Sequence, residues 1–305
     1  MTGKSTIKVA LDWTPNTIHT GLYVAVEKGY YTEHGLDVQL LPPNAEYSTT
    51  PARQVENGTA DIAICPSESC IAYQETGKMQ LEAIYTILQK DASAIVTVDP
   101  RFSSPASLED GTYGSYNAKY EDHIVKEMVA AEGGDGSTMK IQGSTSKLSL
   151  FDEVKDGNID ATWVFLPWEG VDAEMQGIRL NAFVPEDSGI PYGYSPVLAR
   201  DKNSPTPSND ALKAFVQATQ RGYQYALDNA VEACKLLQSQ CQPSRSAEFL
   251  EKSQLAINEY YGASGNLGEM DSLHWHRWIE WLKDRKLLHG EHMEAVNLYT
   301  NRFFG

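Results

Sequence analysis

The chain has 305 residues, and its 25 Lys plus Arg against 41 Asp plus Glu leave a net charge of −16. At roughly 150 residues per domain the length implies about two domains, each long enough to bury a core. Hydrophobic residues at 41% are ordinary globular usage, while the acidic surplus repels phosphate backbones and anionic lipid heads; this argues against nucleic-acid and membrane-surface functions but not against one local basic pocket.

Residues 7–11 alternate into a strand, Thr14-Pro15-Asn16 breaks it, and 19–28 reads as a helix stopped by Gly29. Residues 36–41 form a second predicted strand, 50–58 a helix and 60–64 a strand. Cys65-Pro66-Ser67 then turns into a helix over 68–76, and a strand over 81–88 completes the first series. Strands alternating with helices predict a parallel, open sheet with ligands beyond the carboxyl ends of its strands. Residues 12–19, 65–69 and 89–91 therefore point toward a common crevice.

A second series follows, with strands at 94–98, 111–114, 139–142 and 161–165 and helices at 119–132, 148–156 and 168–175. Residues 180–184 resume strand character, 191–198 cross back, and the remainder is helical at 211–227, 230–238, 247–260 and 273–286. The prediction is an α/β protein of two lobes, with lobe I discontinuous (1–90 plus 195–305) and lobe II at 91–194. Trp275, Trp278 and Trp281 recur every three positions along the last helix, a packing stripe rather than a ligand cage.

Mean hydropathy is −0.40 and no run approaches the ~18 apolar residues of a membrane span. The start has no basic, apolar and small-residue succession, so a soluble cytoplasmic protein is predicted; a mature exported protein behind a new Met begins the same way. Cys65, Cys70, Cys234 and Cys241 make no CxxC pair, which suits reduced, structural thiols.

Serine-hydrolase, Walker and dinucleotide-binding motifs are absent from the sequence. His274 and His276 are two apart, roughly 200° around a helix, and His289 and His292 lack the His-Glu-x-x-His order, so no metal is predicted.

Asp12 and Trp13 close the first strand, with Asn16 and His19 just beyond. A carboxylate beside an indole face suits an aminopyrimidine-like or cationic ring. The alternative is that Trp13 fills a core and Asp12 caps the next helix. Trp163, Phe165, Trp168, Glu169, Tyr192 and Tyr194 add aromatic and acidic candidates. Gly111-Thr-Tyr-Gly-Ser-Tyr-Asn117 ends a strand and opens a helix, so backbone N–H groups at Ser115, Tyr116 and Asn117 could hold phosphate or carboxylate, with Lys119 adding charge. An ordinary strand-to-helix turn with Asn117 near the cap is the other reading.

Val9-Ala-Leu-Asp-Trp-Thr-Pro-Asn-Thr-Ile-His-Thr20, Leu22-Tyr-Val-Ala-Val-Glu-Lys-Gly-Tyr-Tyr31, Gly35-Leu-Asp-Val38 and Asn57-Gly-Thr-Ala-Asp-Ile-Ala63 resemble the thiamine-pyrimidine group of periplasmic-binding-protein-like proteins. Looser likeness continues at Gly157-Asn-Ile-Asp-Ala161 and Trp278-Ile-Glu-Trp-Leu-Lys283. That group includes bacterial formylaminopyrimidine-binding proteins and the fungal synthase of the hydroxymethylpyrimidine phosphate precursor of thiamine. The resemblance implies the type II periplasmic-binding-protein fold, with two α/β lobes, two crossovers and a ligand between them, here with a helical C-terminal extension.

In the synthase a lysine that holds pyridoxal phosphate and a donor histidine follow the Gly-x-x-Asp strand. Counting from Asp61, those places hold Cys65 and Ser69, and 190–196 lacks the synthase's cysteines. The resemblance therefore implies no pyridoxal phosphate and no synthase chemistry. A glutamate that the bacterial proteins place in the second crossover aligns near Ser195. A fungal, cytosolic branch of the fold that lacks the synthase residues is also similar.

The expected protein is non-catalytic and closes two lobes on a thiamine-precursor-like pyrimidine or a related, phosphorylated heterocycle. Asp12 accepts from a ring amino group, Trp13 with Tyr192 or Tyr194 stacks on the ring, and Ser115, Tyr116 and Asn117 hold an anionic tail. Asn16, His19, Cys65, Ser67, Ser69, Trp163, Trp168 and Glu169 complete the lining. The alternative is an enzyme of thiamine-pyrimidine or vitamin B6 metabolism using Cys65, His19 or Glu169. The small molecule is the expected partner, without cofactor or metal, and a homodimer is compatible with this reading.

Overall fold

The computed structural model describes residues 5–144, 147–289 and 293–305. In chain order the strands are β1 (Ser5–Ala10), β2 (Leu36–Leu41), β3 (Ile62–Cys65), β4 (Leu81–Thr86), β5 (Ser93–Thr97), β6 (Thr112–Ser115), β7 (Lys140–Gly143), β8 (Ala161–Phe165), β9 (Asn181–Phe183) and β10 (Val197–Asp201). The α-helices are α1 (Thr20–Glu27), α2 (Tyr30–Glu33), α3 (Pro51–Glu56), α4 (Ser67–Glu75), α5 (Glu121–Ala131), α6 (Leu150–Lys155), α7 (Val171–Met175), α8 (Asn209–Asp228), α9 (Ala230–Gln238), α10 (Ala247–Tyr261), α11 (Ser272–Asp284) and α12 (Ala295–Leu298).

The chain divides into two units. Met1–Asn44, Ser48–Asp91 and Gly193–Gly305 form unit 1; Ala45–Tyr47 and Ala92–Tyr192 form unit 2. Unit 1 holds a sheet in the order β2-β1-β3-β10-β4, and unit 2 a sheet in the order β7-β6-β8-β5-β9.

The sheets are mixed rather than parallel throughout. In unit 1, β1 runs parallel to β2 and β3, but β10 is antiparallel to both β3 and β4. In unit 2, β6 runs parallel to β7 and β8, but β5 is antiparallel to β8 and β9. Strand–helix–strand units built locally must run parallel. β5 and β10 each open a stretch where the chain passes from one unit to the other, so no local crossover helix dictates their direction.

The core of unit 1 follows from apolar strands buried on both faces. Ile62, Ala63 and Ile64 of β3 and Val197, Leu198 and Ala199 of β10 are wholly buried. Against β3 and β10 packs α3, while α1 and α8 pack on each other with close backbones: a Cβ on Gly222 would lie 2.0 Å from the Gly21 carbonyl oxygen. Only glycine permits that crossing. Helix starts follow side-chain caps, with Ser208 accepting from Ala211 N–H, Ser246 from Phe249 N–H, and Asp271 from Leu273 and His274 N–H.

The tryptophan stripe of α11 packs inward. Trp275 stacks on Tyr299 with centroids 5.5 Å apart, and Trp278 stacks on Trp281 at 5.3 Å. The segment after α12 bridges Tyr299 to Ala83, and Thr300 N–H donates to the Ala83 carbonyl at 2.9 Å. This occupies hydrogen-bonding positions along β4, the outermost strand of its sheet.

One local prediction holds and one is corrected. The predicted helix over 19–28 is α1, entered through a 3₁₀ turn at Thr17–His19. The helix predicted over 168–175 is a π-type turn at Leu166–Gly170, with Pro167 in its first turn, and then α7.

Candidate ligand site

Unit 1 places its candidates where β1 and β3 end. After β1, Leu11 N–H still donates to Leu41 O at 2.9 Å, and the chain then turns through Asp12, Trp13 and Thr14. Asn16 caps the following 3₁₀ turn: its Oδ1 accepts from Ile18 N–H at 2.8 Å, and its own N–H donates to His19 Nδ1 at 3.3 Å. Because Nδ1 accepts, the proton of the imidazole sits on Nε2. Nε2–H then donates to Asp12 Oδ1 at 2.8 Å.

Exposure separates the two partners. The His19 side chain is 0% exposed and that of Asp12 17%. His19 is therefore an orienting group behind the carboxylate, and Asp12, with half-buried Trp13 beside it, presents the outward chemistry. Asn16 is buried and committed to the turn, so it braces rather than lines.

The other unit 1 candidates are buried or half-buried. Cys65 is buried at the end of β3, against Cys70 of α4. Ser67 is buried with its N–H donating to Tyr194 O at 2.8 Å, and a Cβ on Gly193 would meet the Ser67 hydroxyl at 2.4 Å. Ser69 is half-buried, its N–H donating to Pro66 O at 2.9 Å. Tyr194, a predicted ring-stacking residue, is buried: its ring stacks on His274 at 4.1 Å, and its hydroxyl accepts from Asp271 N–H at 2.9 Å.

Within unit 2, Trp163 of β8 and Tyr192 are both half-buried, their rings tilted at 47° with centroids 5.2 Å apart. Trp168 is buried, and half-buried Glu169 accepts from Phe165 N–H at 3.1 Å. Tyr116 is half-buried; burial of its hydroxyl, with the nearby Glu169 and Glu121 carboxylates, holds its phenol well above the ordinary range.

In the predicted anion nest at 115–117, the Tyr116 and Asn117 N–H groups are engaged within the protein. Glu121, the first residue of α5, is buried, and its carboxylate receives Tyr113 Oη–H at 2.8 Å and Tyr116 N–H at 3.0 Å on Oε1, and Ala118 N–H at 3.0 Å on Oε2. Ser115 Oγ–H donates to Asp122 at 2.7 Å, and Asn117 N–H donates to Ser115 Oγ at 3.0 Å. Asn117 itself lies in left-handed backbone at φ 59. Of the donors assigned by sequence to an external anion, the Tyr116 N–H serves the protein's own Glu121 carboxylate and the Asn117 N–H the Ser115 hydroxyl.

Among the described residues no group of three His, Cys, Asp or Glu side chains is gathered for a metal ion, and no helix is long and apolar enough to cross a membrane. His292 lies outside the described residues.

A family model described as NMT1/THI5 like matches residues 16–233. The chain is 27% identical over 283 residues to a formylaminopyrimidine-binding protein of Halalkalibacterium halodurans, covering 91% of this chain and 84% of that one. It is 23% identical over 306 residues to a 4-amino-5-hydroxymethyl-2-methylpyrimidine phosphate synthase of Legionella pneumophila, covering 98% and 92%. A solved Candida albicans protein, described as having the generic periplasmic-binding-protein fold, superposes with a TM-score of 0.73 at 18% identity, covering 97% of this chain and 96% of that one. The two mixed α/β units are those of a periplasmic-binding-protein fold.

Proposed function

The chain belongs to the NMT1/THI5-like family, and from that premise we propose that it binds an amino-substituted, pyrimidine-like heterocycle without transforming it. One observation carries the proposal: Asp12, oriented by the Nε2–H of buried His19 at 2.8 Å, stands beside half-buried Trp13 at the end of β1. An amidine-like edge of an aminopyrimidine offers N–H donors in the ring plane, which a fixed carboxylate accepts while an indole covers the ring face. The formylaminopyrimidine-binding relative supports this ligand class. Burial of Cys65 and His19 favours binding over turnover, since neither presents a nucleophile or base outward. The four free, buried cysteines suit a reducing, cytoplasmic setting.

Calorimetric titration with formylaminopyrimidine and hydroxymethylpyrimidine tests the reading. Trp13→Ala and Asp12→Asn should each weaken affinity at least tenfold, about 1.4 kcal/mol. Unchanged affinity in both variants, or no binding by the unaltered protein, would overturn it.

A further inference from the structure

The turn that joins α3 to β3 recurs, with the same backbone hydrogen bonds, between α6 and β8. Asn57 ends α3 at φ −83 and ψ −3, Asp156 ends α6 at φ −80 and ψ −7, and each is followed by a left-handed glycine, Gly58 at φ 72 and Gly157 at φ 74. Thr59 N–H donates to Gln54 O, and Asn158 N–H to Glu153 O, both at 2.9 Å. Each turn closes on an aspartate that pins a parallel strand: Asp61 Oδ2 accepts from Lys8 N–H of β1 at 2.7 Å, and Asp160 Oδ2 from Thr112 N–H of β6 at 2.8 Å. The two turns differ at their exposed first position, an amide in one and a carboxylate in the other. Asn57-Gly58 is also the only Asn-Gly pair in the sequence.

We infer that Asn57 is a site of spontaneous covalent modification, converting by deamidation to aspartate and isoaspartate. The main-chain nitrogen of Gly58 attacks Asn57 Cγ, the Cγ–Nδ2 bond breaks, and the Gly58 N–H proton leaves with the amide nitrogen as ammonia. Water then opens the five-membered succinimide at either carbonyl, giving aspartate or its β-linked isomer. The attacking nitrogen must swing against its neighbour's side chain, and the residue after asparagine obstructs this least when it has no Cβ. Asn57, Gly58 and Thr59 are all exposed, and a Cβ placed on Gly58 would meet nothing within 4 Å. The nucleophile is restrained by a bond to Val55 O at 3.0 Å, in a helix terminus, where such bonds fray. The aspartate product reproduces the Asp156-Gly157 turn, so this backbone accommodates it. Isoaspartate routes the main chain through an extra carbon before Gly58, which moves the Gly58 and Thr59 N–H groups off their α3 acceptors and loosens the hold of Asp61 on β1.

The unaltered protein, folded and aged at pH 8 with mild warming, is mapped by peptide mass spectrometry, and an isoaspartyl methyltransferase reports the β-linked product. Asn57 should convert at least about tenfold faster than any other asparagine of the chain, a barrier lower by about 1.4 kcal/mol. Asn57→Gln should lose the methyltransferase signal from that peptide. Asn57 left intact, or converted no faster than the other asparagines, overturns the inference. Hydrogen exchange then reads the effect on β1: the Lys8 N–H should exchange faster in the isoaspartate form than in the unaltered protein, and Asn57→Asp should leave it unchanged. Isoaspartate at position 57 with Lys8 exchange unaltered, or equal acceleration in Asn57→Asp, overturns the loosening of β1.

Discussion

Thr17 Oγ1 and Ser253 Oγ lie 2.6 Å apart although 236 positions separate them in the chain. The same helix reaches the turn twice more: Thr20 Oγ1–H donates to Gln254 Oε1 at 2.6 Å, and Tyr261 Oη–H donates to the Thr17 carbonyl. From α8, Tyr223 Oη–H donates to Ile18 O at 2.8 Å. Residues 17–20 carry His19, so α8 and α10 set the position of the imidazole that orients Asp12. A capping turn buried this deeply has no water to satisfy its polar groups, and the helices supply the partners.

Gln254→Leu should leave the buried Thr20 hydroxyl without its acceptor, at a cost of about 1–3 kcal/mol of stability. Urea unfolding at pH 7 measures this. Heterocycle affinity should fall in the same variant because the turn loses its brace, although Gln254 lies behind it. Stability within about 0.5 kcal/mol of the unaltered protein, the usual range for surface changes, would contradict the bracing role.

Glu82 on β4 gathers three cations: Arg200 Nη2 at 3.1 Å, Lys202 Nζ at 3.6 Å and Arg302 Nη2 at 3.7 Å. Arg200 is itself buried, its Nε has no hydrogen-bond partner, and burial pulls its guanidinium below the ordinary range against the pull of Glu82. Removing one partner of a buried pair strands the other charge, so Glu82→Ala should cost about 3–5 kcal/mol. Arg302 is about half exposed, and Arg302→Ala should cost roughly 0–1 kcal/mol as a screened pair. Chemical denaturation of both variants checks the contrast; equal effects would refute it.

Alternation and glycine stops made much of the fold legible. The sequence predicts strands at 36–41 and 161–165, and these are β2 and β8. Strand direction was not legible in β5 and β10, because an apolar run buried on both faces looks the same in either orientation. The short helix α2 has no periodic signature because Gly29 at φ 74 and Gly35 at φ 71 leave room for one turn only. For the site, the sequence places Asp12 and His19 in one short loop, but which of them faces outward depends on Asn16 turning the chain, a tertiary outcome. Ser253, Gln254 and Glu121 gave no local signal: the first two act across 234 or more positions, and Glu121 resembles any acidic residue in a first helical turn.

Cys70, Cys234 and Cys241 should be nearly inert in the folded protein. Burial pushes the Cys234 thiol up to about 12 and that of Cys241 up to about 11, and lifts Cys70 well above the ordinary range, where its neighbour Cys65 adds to the effect. The thiolate is the reactive form, and a thiol near 11 is only ~0.1% ionised at pH 8. Iodoacetamide at pH 8, followed by mass spectrometry, should label Cys70, Cys234 and Cys241 at less than about a tenth of their rate in guanidinium. Rapid labelling of any of the three in the folded protein would show that its burial is not maintained in solution.

Burial raises the Glu121 carboxyl above its ordinary 4.5, only partly offset by the N–H groups of Tyr116 and Ala118 and by the Tyr113 hydroxyl. A raised value means that the folded protein holds the proton more tightly than the unfolded chain does. Protonation at Glu121 therefore favours folding in full below the unfolded value, and that contribution disappears as pH rises through the folded value. Glu121→Gln cannot titrate. Across urea unfolding series from pH 3.5 to pH 7, the stability of the unaltered protein should fall relative to that of Glu121→Gln as pH rises past about 4.5. A difference that stays flat, or runs the other way, would mean that the hydrogen bonds outweigh burial and that the carboxylate is the form the nest prefers even in mild acid.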